Sequence, residues 1–139
     1  MYRLDHPNHM KYAYLLSLLL LATGLTGCVE SDWSVNMTHT GTSQIDDTMF
    51  CGDDTTNCHA VSVDVEVTGG EDFENNMFYW EAVGSDGGIY DVSLEGVTGP
   101  DACASGATCS FTIHFEVSDG TTLTKLNYDD IFNTASVNL

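Results

Sequence analysis

The sequence predicts an all-β domain, an antiparallel β-sandwich of about seven strands with two local disulfides. Several segments alternate apolar and polar residues with a period of two, the pattern of strands that bury one face. Short stretches rich in Gly, Asp and Ser separate these segments, and no window carries an apolar stripe of helical period. With 139 residues, the chain has room for one such domain after a leader, but not for two.

The predicted strands follow one another at short intervals from residue 33 to the end of the chain. In the clearest, every second residue from Val61 to Val67 is valine, and Cys109–Val117 alternates in the same way. The glycines between residues 84 and 88 permit the positive φ angles of a tight hairpin. The full set of predicted strands is Trp33–Thr38, Val61–Val67, Met77–Val83, Ile89–Leu94, Cys109–Val117, Leu123–Tyr128 and Ala135–Leu139.

The first 27 residues are predicted to be a lipoprotein signal peptide. Lys11 precedes an apolar run of 14 residues, Tyr12–Leu25, which is too short for the ~20 residues that span a bilayer. The run ends in Leu-Thr-Gly-Cys, which resembles the lipobox of bacterial and archaeal lipoproteins. That resemblance implies cleavage before Cys28, a lipid on its thiol, a tether over residues 28–32 and a domain over residues 33–139. Ordinary signal-peptide cleavage and an uncleaved anchor helix are the alternatives.

The chain is strongly acidic, with 3 Lys+Arg against 21 Asp+Glu. Loss of the leader removes Arg3, Lys11 and Asp5, which leaves Lys125 as the single basic residue against 20 acidic ones. Such a surface repels phosphate backbones, so nucleic acid is not expected as a partner. Salt adaptation and cation binding both account for this charge, and the two are compatible.

Four cysteines remain in the domain: Cys51, Cys58, Cys103 and Cys109. An even number in an exported domain predicts disulfides. Three pairings are possible, and the spacings favour the local bridges Cys51–Cys58 and Cys103–Cys109. Neither spacing is the Cys-x2-Cys of zinc ribbons, which argues against a metal site.

The order of segments resembles one known family. A valine strand, an aromatic strand and a Ser-Asp-Gly-Gly-Ile-Tyr hairpin are followed by Cys109–Val117 and then by Lys-Leu-Asn-Tyr at 125–128. This is similar to the telokin-like immunoglobulin-fold domains of secreted proteins and lipoproteins, over roughly Val61–Tyr128. The resemblance implies an immunoglobulin-like sandwich and an extracellular binding or structural module, with no general activity to transfer.

One acidic loop is a candidate cation site. Carboxylate and amide oxygens suit Ca²⁺, which takes six to eight oxygen ligands, although the spacing is not that of an EF-hand. A solvated surface is the alternative. The candidate ligands are Asp46, Asp47, Asp53, Asp54 and Asn57. A second acidic loop contains Glu71, Asp72, Glu74, Asn75 and Asn76.

Other residues suggest weaker sites. Asn36 lies in an Asn-Met-Thr glycosylation sequon. His114 falls on the polar face of its strand and is expected to be solvated, and His39 and His59 complete no catalytic pattern. Tyr79 and Trp80 are adjacent, so one ring is expected either to face outward and bind a sugar or a protein, or to cover a loop or the second sheet.

These observations predict a non-enzymatic, membrane-anchored, extracytoplasmic module without a cofactor. Its partners would be membrane lipid through acylated Cys28 and an envelope protein or glycan. A Ca²⁺-dependent binding module and an enzyme of unknown type are the alternatives. A contiguous apolar or aromatic patch on the acidic surface would favour the binding module.

Overall fold

The computed structural model describes residues 33–139, and these form an all-β, antiparallel, immunoglobulin-like β-sandwich. The predicted leader (1–27) and tether (28–32), with Cys28, lie outside the described residues. No helix within 33–139 has the length and apolar character to cross a bilayer. The elements are β1 Ser34–Ile45, β2 Thr56–Gly69, β3 Phe73–Glu74, a 3-10 helix Met77–Tyr79, β4 Trp80–Gly84, β5 Ile89–Thr98, β6 Ala102–Cys103, β7 Thr108–Ser118, β8 Leu123–Asp129 and β9 Thr134–Asn138.

Seven strands form one continuous hydrogen-bonded series in the order β1-β2-β7-β5-β4-β8-β9. Strand β5 belongs to both layers of the sandwich: Ile89 pairs with Val83 of β4, whereas Val92 and Val97 pair with β7. One layer therefore contains β1, β2 and β7, and the other contains β4, β8 and β9. Strands β1 and β9 approach each other on the side away from β5. The short strands β3 and β6 pair separately.

The core lies between the layers and comes from the alternating residues. Strands β2 and β7 pair in a register that sets Val61 opposite Ile113 and Val63 opposite Phe111, and all four side chains are buried. An aromatic group fills one end of the core. Phe73 is fully buried there, with its ring centroid 4.3 Å from that of Tyr128 and 5.6 Å from that of Trp80.

Strand prediction was wrong in one segment and incomplete in others. The first three residues of the predicted strand Met77–Val83 form the 3-10 helix, because the side chain of Asn76 accepts a hydrogen bond from the amide of Phe78 (3.1 Å) and caps the turn. Strand β1 continues past the predicted Thr38 to Ile45, through a register shift between His39 and Gly41. Strands β3 and β6 contain two residues each, too few to show a period.

The two ends of the sandwich differ in what they contain. At the Trp33 end, the ring of Trp33 stacks on Tyr128 with centroids 6.4 Å apart, beside the hairpin that joins β8 to β9. This end also holds the Cys103–Cys109 disulfide. At the opposite end, the Cys51 end, β1 connects to β2 through residues 46–55, which contain Cys51.

Candidate functional site

The connection between β1 and β2, residues 46–55, is braced on the outer face of the sheet; we call it the bridged loop. Both predicted disulfides form with the predicted local pairing. Cys51 and Cys58 are bonded with their Cα atoms 5.2 Å apart, and Cys103 is bonded to Cys109. Cys51 and Cys58 are both buried, because Cys51 packs with its Sγ 3.5 Å from the carbonyl oxygen of Phe115.

Further hydrogen bonds hold the bridged loop against neighbouring strands. The amide of Thr48 donates to the carbonyl of Cys51 (2.8 Å), and its hydroxyl donates to Glu95 of β5 (2.9 Å). Directly after the loop, the hydroxyl of Thr56, the first residue of β2, shares its one hydrogen between Glu116 of β7 (2.7 Å) and Asp53 of the loop (3.0 Å). The loop is thus fixed to β5 through Thr48, and its end is fixed to the start of β2.

This braced loop presents apolar side chains to water. Met49 is 83% exposed and Phe50 is 52% exposed, and Leu94, next to the Glu95 that Thr48 contacts, is also exposed. Two consecutive exposed apolar side chains on a highly charged protein make this loop a candidate interaction site. Because the surrounding bonds fix the backbone, little conformational entropy remains to be lost on binding.

The predicted cation ligands lie in and beside this loop but do not converge on one point. Within residues 33–139 there is no group of three or more His, Cys, Asp or Glu side chains placed to hold a metal ion. One carboxylate oxygen of Asp53 accepts from the Thr55 amide (2.7 Å), the Thr55 hydroxyl (2.9 Å) and the Thr56 hydroxyl (3.0 Å). These hydrogen bonds hold the pKa of Asp53 below its usual value.

The remaining candidate ligands are at the rim of the bridged loop. The side-chain oxygen of Asn57 accepts from Gln44 (2.8 Å), and its amino group donates to Asp119. Asp46, Asp47 and Asp54 are exposed. The four exposed aspartates flank the apolar pair in the sequence of the loop, and Ca²⁺ binding stays a prediction.

A second exposed apolar pair lies at the Trp33 end, in the tip of the β8–β9 hairpin (residues 130–133). Ile131 is 82% exposed and Phe132 is 89% exposed. Asp130 accepts hydrogen bonds from the amides of Phe132 (3.1 Å) and Asn133 (2.7 Å), and Asp129 accepts from the amide of Ile131 (3.1 Å). Ile131 has a φ of 82°, a costly conformation for a β-branched residue.

The second acidic loop lies next to this tip. Glu71, Asp72 and Glu74 line one cleft together with Tyr79 and the tip residues. Asp72 also accepts a hydrogen bond from the amide of Ser105 (2.9 Å), which ties the loop to the segment before β7. The carboxylates are therefore set around the base of the tip.

The adjacent aromatics Tyr79 and Trp80 both contribute to packing. Trp80 is buried in the core, and Tyr79 packs edge-on against Tyr128 with ring centroids 5.8 Å apart. Tyr79 thus packs against the core. The exposed ring in this segment is Phe78, which the sequence did not single out.

The histidines occupy separate positions. His39 and His59 line a cavity of about 360 Å³ between the layers at the Cys51 end, and burial lowers the pKa of His59. His114 is half-buried rather than solvated, because its Nδ1 lies 3.1 Å from the carbonyl oxygen of Gly96 in β5. Asn36 of the sequon is exposed on β1, and its modification stays a prediction.

Comparison with known proteins adds a fold likeness. Neither a protein-family model nor a curated protein matches the chain. Among solved structures, the chain is similar to MPT63, a secreted protein from Mycobacterium tuberculosis, with a TM-score of 0.55 and 13% identity over 83% of this chain and 89% of that one. At this identity the likeness shows the β-sandwich fold alone, and membership of the telokin-like family stays a prediction.

Proposed function

We propose that this protein is a lipid-anchored, extracytoplasmic, non-enzymatic binding module that recognises an envelope protein through the bridged loop. The observation that carries the proposal is the exposure of Met49 and Phe50 on a loop that a disulfide and hydrogen bonds hold in place. Met and Phe are enriched at the centres of protein interfaces, where a few buried side chains supply most of the binding free energy.

The charge around the apolar pair defines the complementary partner. Asp46 and Asp47 precede Met49 and Phe50 in the bridged loop, Asp53 and Asp54 follow them, and all four carboxylates are exposed. The matching surface is an apolar cleft with a basic rim, because opposite charges at a rim accelerate association and select partners. Such rim contacts weaken as salt rises, whereas the apolar contact at the centre does not depend on ionic screening.

The anchoring part of the proposal is supported by the lipobox-like segment and by the fold. Disulfides are typical of exported domains, and the fold is similar to that of a secreted protein. Intact mass of the protein from a membrane fraction tests this part. The expected mass is that of residues 28–139 with two disulfides and an added lipid. A mature form that retains residues 1–27, or that has an unmodified thiol at Cys28, would refute the anchor.

The binding part is tested by photo-crosslinking in the producing cells. A photoreactive phenylalanine replaces Phe50 and, as a control, Ile89, which is also exposed but lies outside the bridged loop. We expect one discrete adduct from position 50 that disappears when Met49→Ser is added, and no such adduct from position 89. Adducts of equal yield at both positions would refute recognition through the bridged loop.

A further inference from the structure

The β8–β9 hairpin tip is a second exposed apolar group that the proposed binding loop does not use. Ile131 and Phe132 are both more than four-fifths exposed. The carboxylates of Asp129 and Asp130 accept hydrogen bonds from the tip amides and fix the backbone that exposes both apolar side chains to solvent.

The position of the tip relative to the start of the domain indicates what covers it. Trp33 stacks on Tyr128, two residues before Asp130, so the chain enters the domain beside the tip. Cys28 precedes Trp33 by five residues, which is at most about 18 Å of extended chain. A lipid on Cys28 therefore holds this end of the sandwich, and with it the tip, close to the bilayer surface.

We propose that the tip inserts Ile131 and Phe132 into the interface of the bilayer that holds acylated Cys28, so that the protein contacts the membrane at two points. This inference rests on the anchor in the proposed function. Apolar and aromatic side chains of peripheral proteins enter the boundary between headgroups and acyl chains to a depth of ~5–10 Å. Two contacts fix the orientation of the domain, which a flexible tether alone leaves free.

The surrounding charge determines which bilayers accept the tip. Glu71, Asp72, Glu74 and Asp130 line the cleft beside the tip, and anionic headgroups repel them. At 1 M salt the Debye length falls to about 3 Å, so this repulsion is largely screened. Insertion is therefore expected in zwitterionic bilayers at any salt concentration, and in anionic bilayers at high salt.

The test uses the mature acylated protein, residues 28–139, in phosphatidylcholine vesicles that contain lipids brominated on the acyl chain. Phe132→Trp is the reporter, Ile131→Trp is a second reporter, and Ile89→Trp at the Cys51 end is the matched control. The wild-type emission of Trp33 and Trp80 is subtracted. Both tip reporters should be quenched at least about twofold more strongly than the control, because only an interfacial side chain reaches the bromine atoms.

Several results would overturn the inference. If both tip reporters are quenched no more than Ile89→Trp while the protein still floats with the vesicles, the anchor holds and the insertion is wrong. Reporters that are shielded from aqueous acrylamide but not quenched by the lipids would show that a protein or a second copy of this chain covers the tip. If the acylated protein does not float with vesicles, both the anchor and the insertion are refuted.

Discussion

Removing the two disulfides one at a time should separate the stability of the domain from the order of the bridged loop. The variants are C51A/C58A and C103A/C109A. The bridges span sequence separations of 7 and 6, and loop-closure entropy then gives about 2.3 kcal/mol for each, with a difference of only about 0.1 kcal/mol. Both variants should therefore unfold at a temperature about 10 °C below that of the wild type.

The two variants should differ in local order although they lose the same amount of stability. The first bridge closes the loop that contains Met49 and Phe50, and the second joins strands at the Trp33 end. Hydrogen exchange of the Thr48 amide, which donates to the carbonyl of Cys51, reports the state of the bridged loop. We expect C51A/C58A to accelerate exchange at Thr48 and to abolish the position-50 crosslink, and C103A/C109A to preserve both.

The assays are urea unfolding, calorimetry and exchange measured by mass spectrometry, at a temperature where both variants are folded. The reasoning would be refuted if the Thr48 amide stayed protected without the first bridge. In that case the hydrogen bonds to Glu95 and Glu116, rather than the disulfide, would hold the loop. Loss of the crosslink in C103A/C109A at unchanged Thr48 protection would place the partner-binding surface elsewhere.

Three further measurements test the packing and the titrating groups. Phe73→Ala should lower the free energy of unfolding by about 3–5 kcal/mol, because it leaves a cavity among aromatic rings, whereas the exposed control Phe78→Ala should change it by less than about 0.5 kcal/mol in urea titrations. Burial and the neighbouring carboxylates raise the pKa of Tyr128 in the folded protein. The stability that Tyr128 contributes is therefore present below the pKa of 10.0 that it has in the unfolded chain, and is lost as the pH rises above that value. Tyr128→Phe should remove this alkaline loss of stability in thermal melts at pH 9–11. Hydrogen bonds lower the pKa of Asp53 below 3.8, so the stability that it contributes is present above that pH and disappears as the carboxylate is protonated. The difference in melting temperature between the wild type and Asp53→Asn should therefore shrink in acid. A difference that stays constant with pH would contradict this assignment.

The larger strands could be predicted because their periodicity is also their energetic basis. All four valines of β2, at every second position from Val61 to Val67, face the core, and β7 pairs with β2 in register, so the alternation in both strands reports one buried interface. The disulfide pairing followed from the same local reasoning, because each bridge closes a short loop. Features that depend on residues close together in the sequence could therefore be predicted from it.

Features formed by residues that are far apart in the sequence could not be predicted from it. The bridged loop is fixed to Glu95, which lies 47 residues after Thr48, and no local pattern encodes that contact. His114 is half-buried because β5 departs from regular pairing near Gly96, an irregularity without a period of its own. The hairpin tip is visible in the sequence as an apolar pair between Asp130 and Asn133. That pattern alone does not distinguish an exposed tip from any other connection between strands.

The antiparallel topology separates the two exposed apolar groups along the sandwich. Strand β1 runs away from the Trp33 end and leads into the bridged loop at the opposite end. Strand β8 runs back and leads into the hairpin tip beside Trp33. The 14 residues of β2 span this distance, about 43 Å at the rise of a strand. With the proposed anchor at Cys28, Phe132 would lie nearer to the bilayer than Phe50. Under the proposed anchor, a partner that binds the bridged loop would therefore contact the sandwich away from its lipid-anchored end.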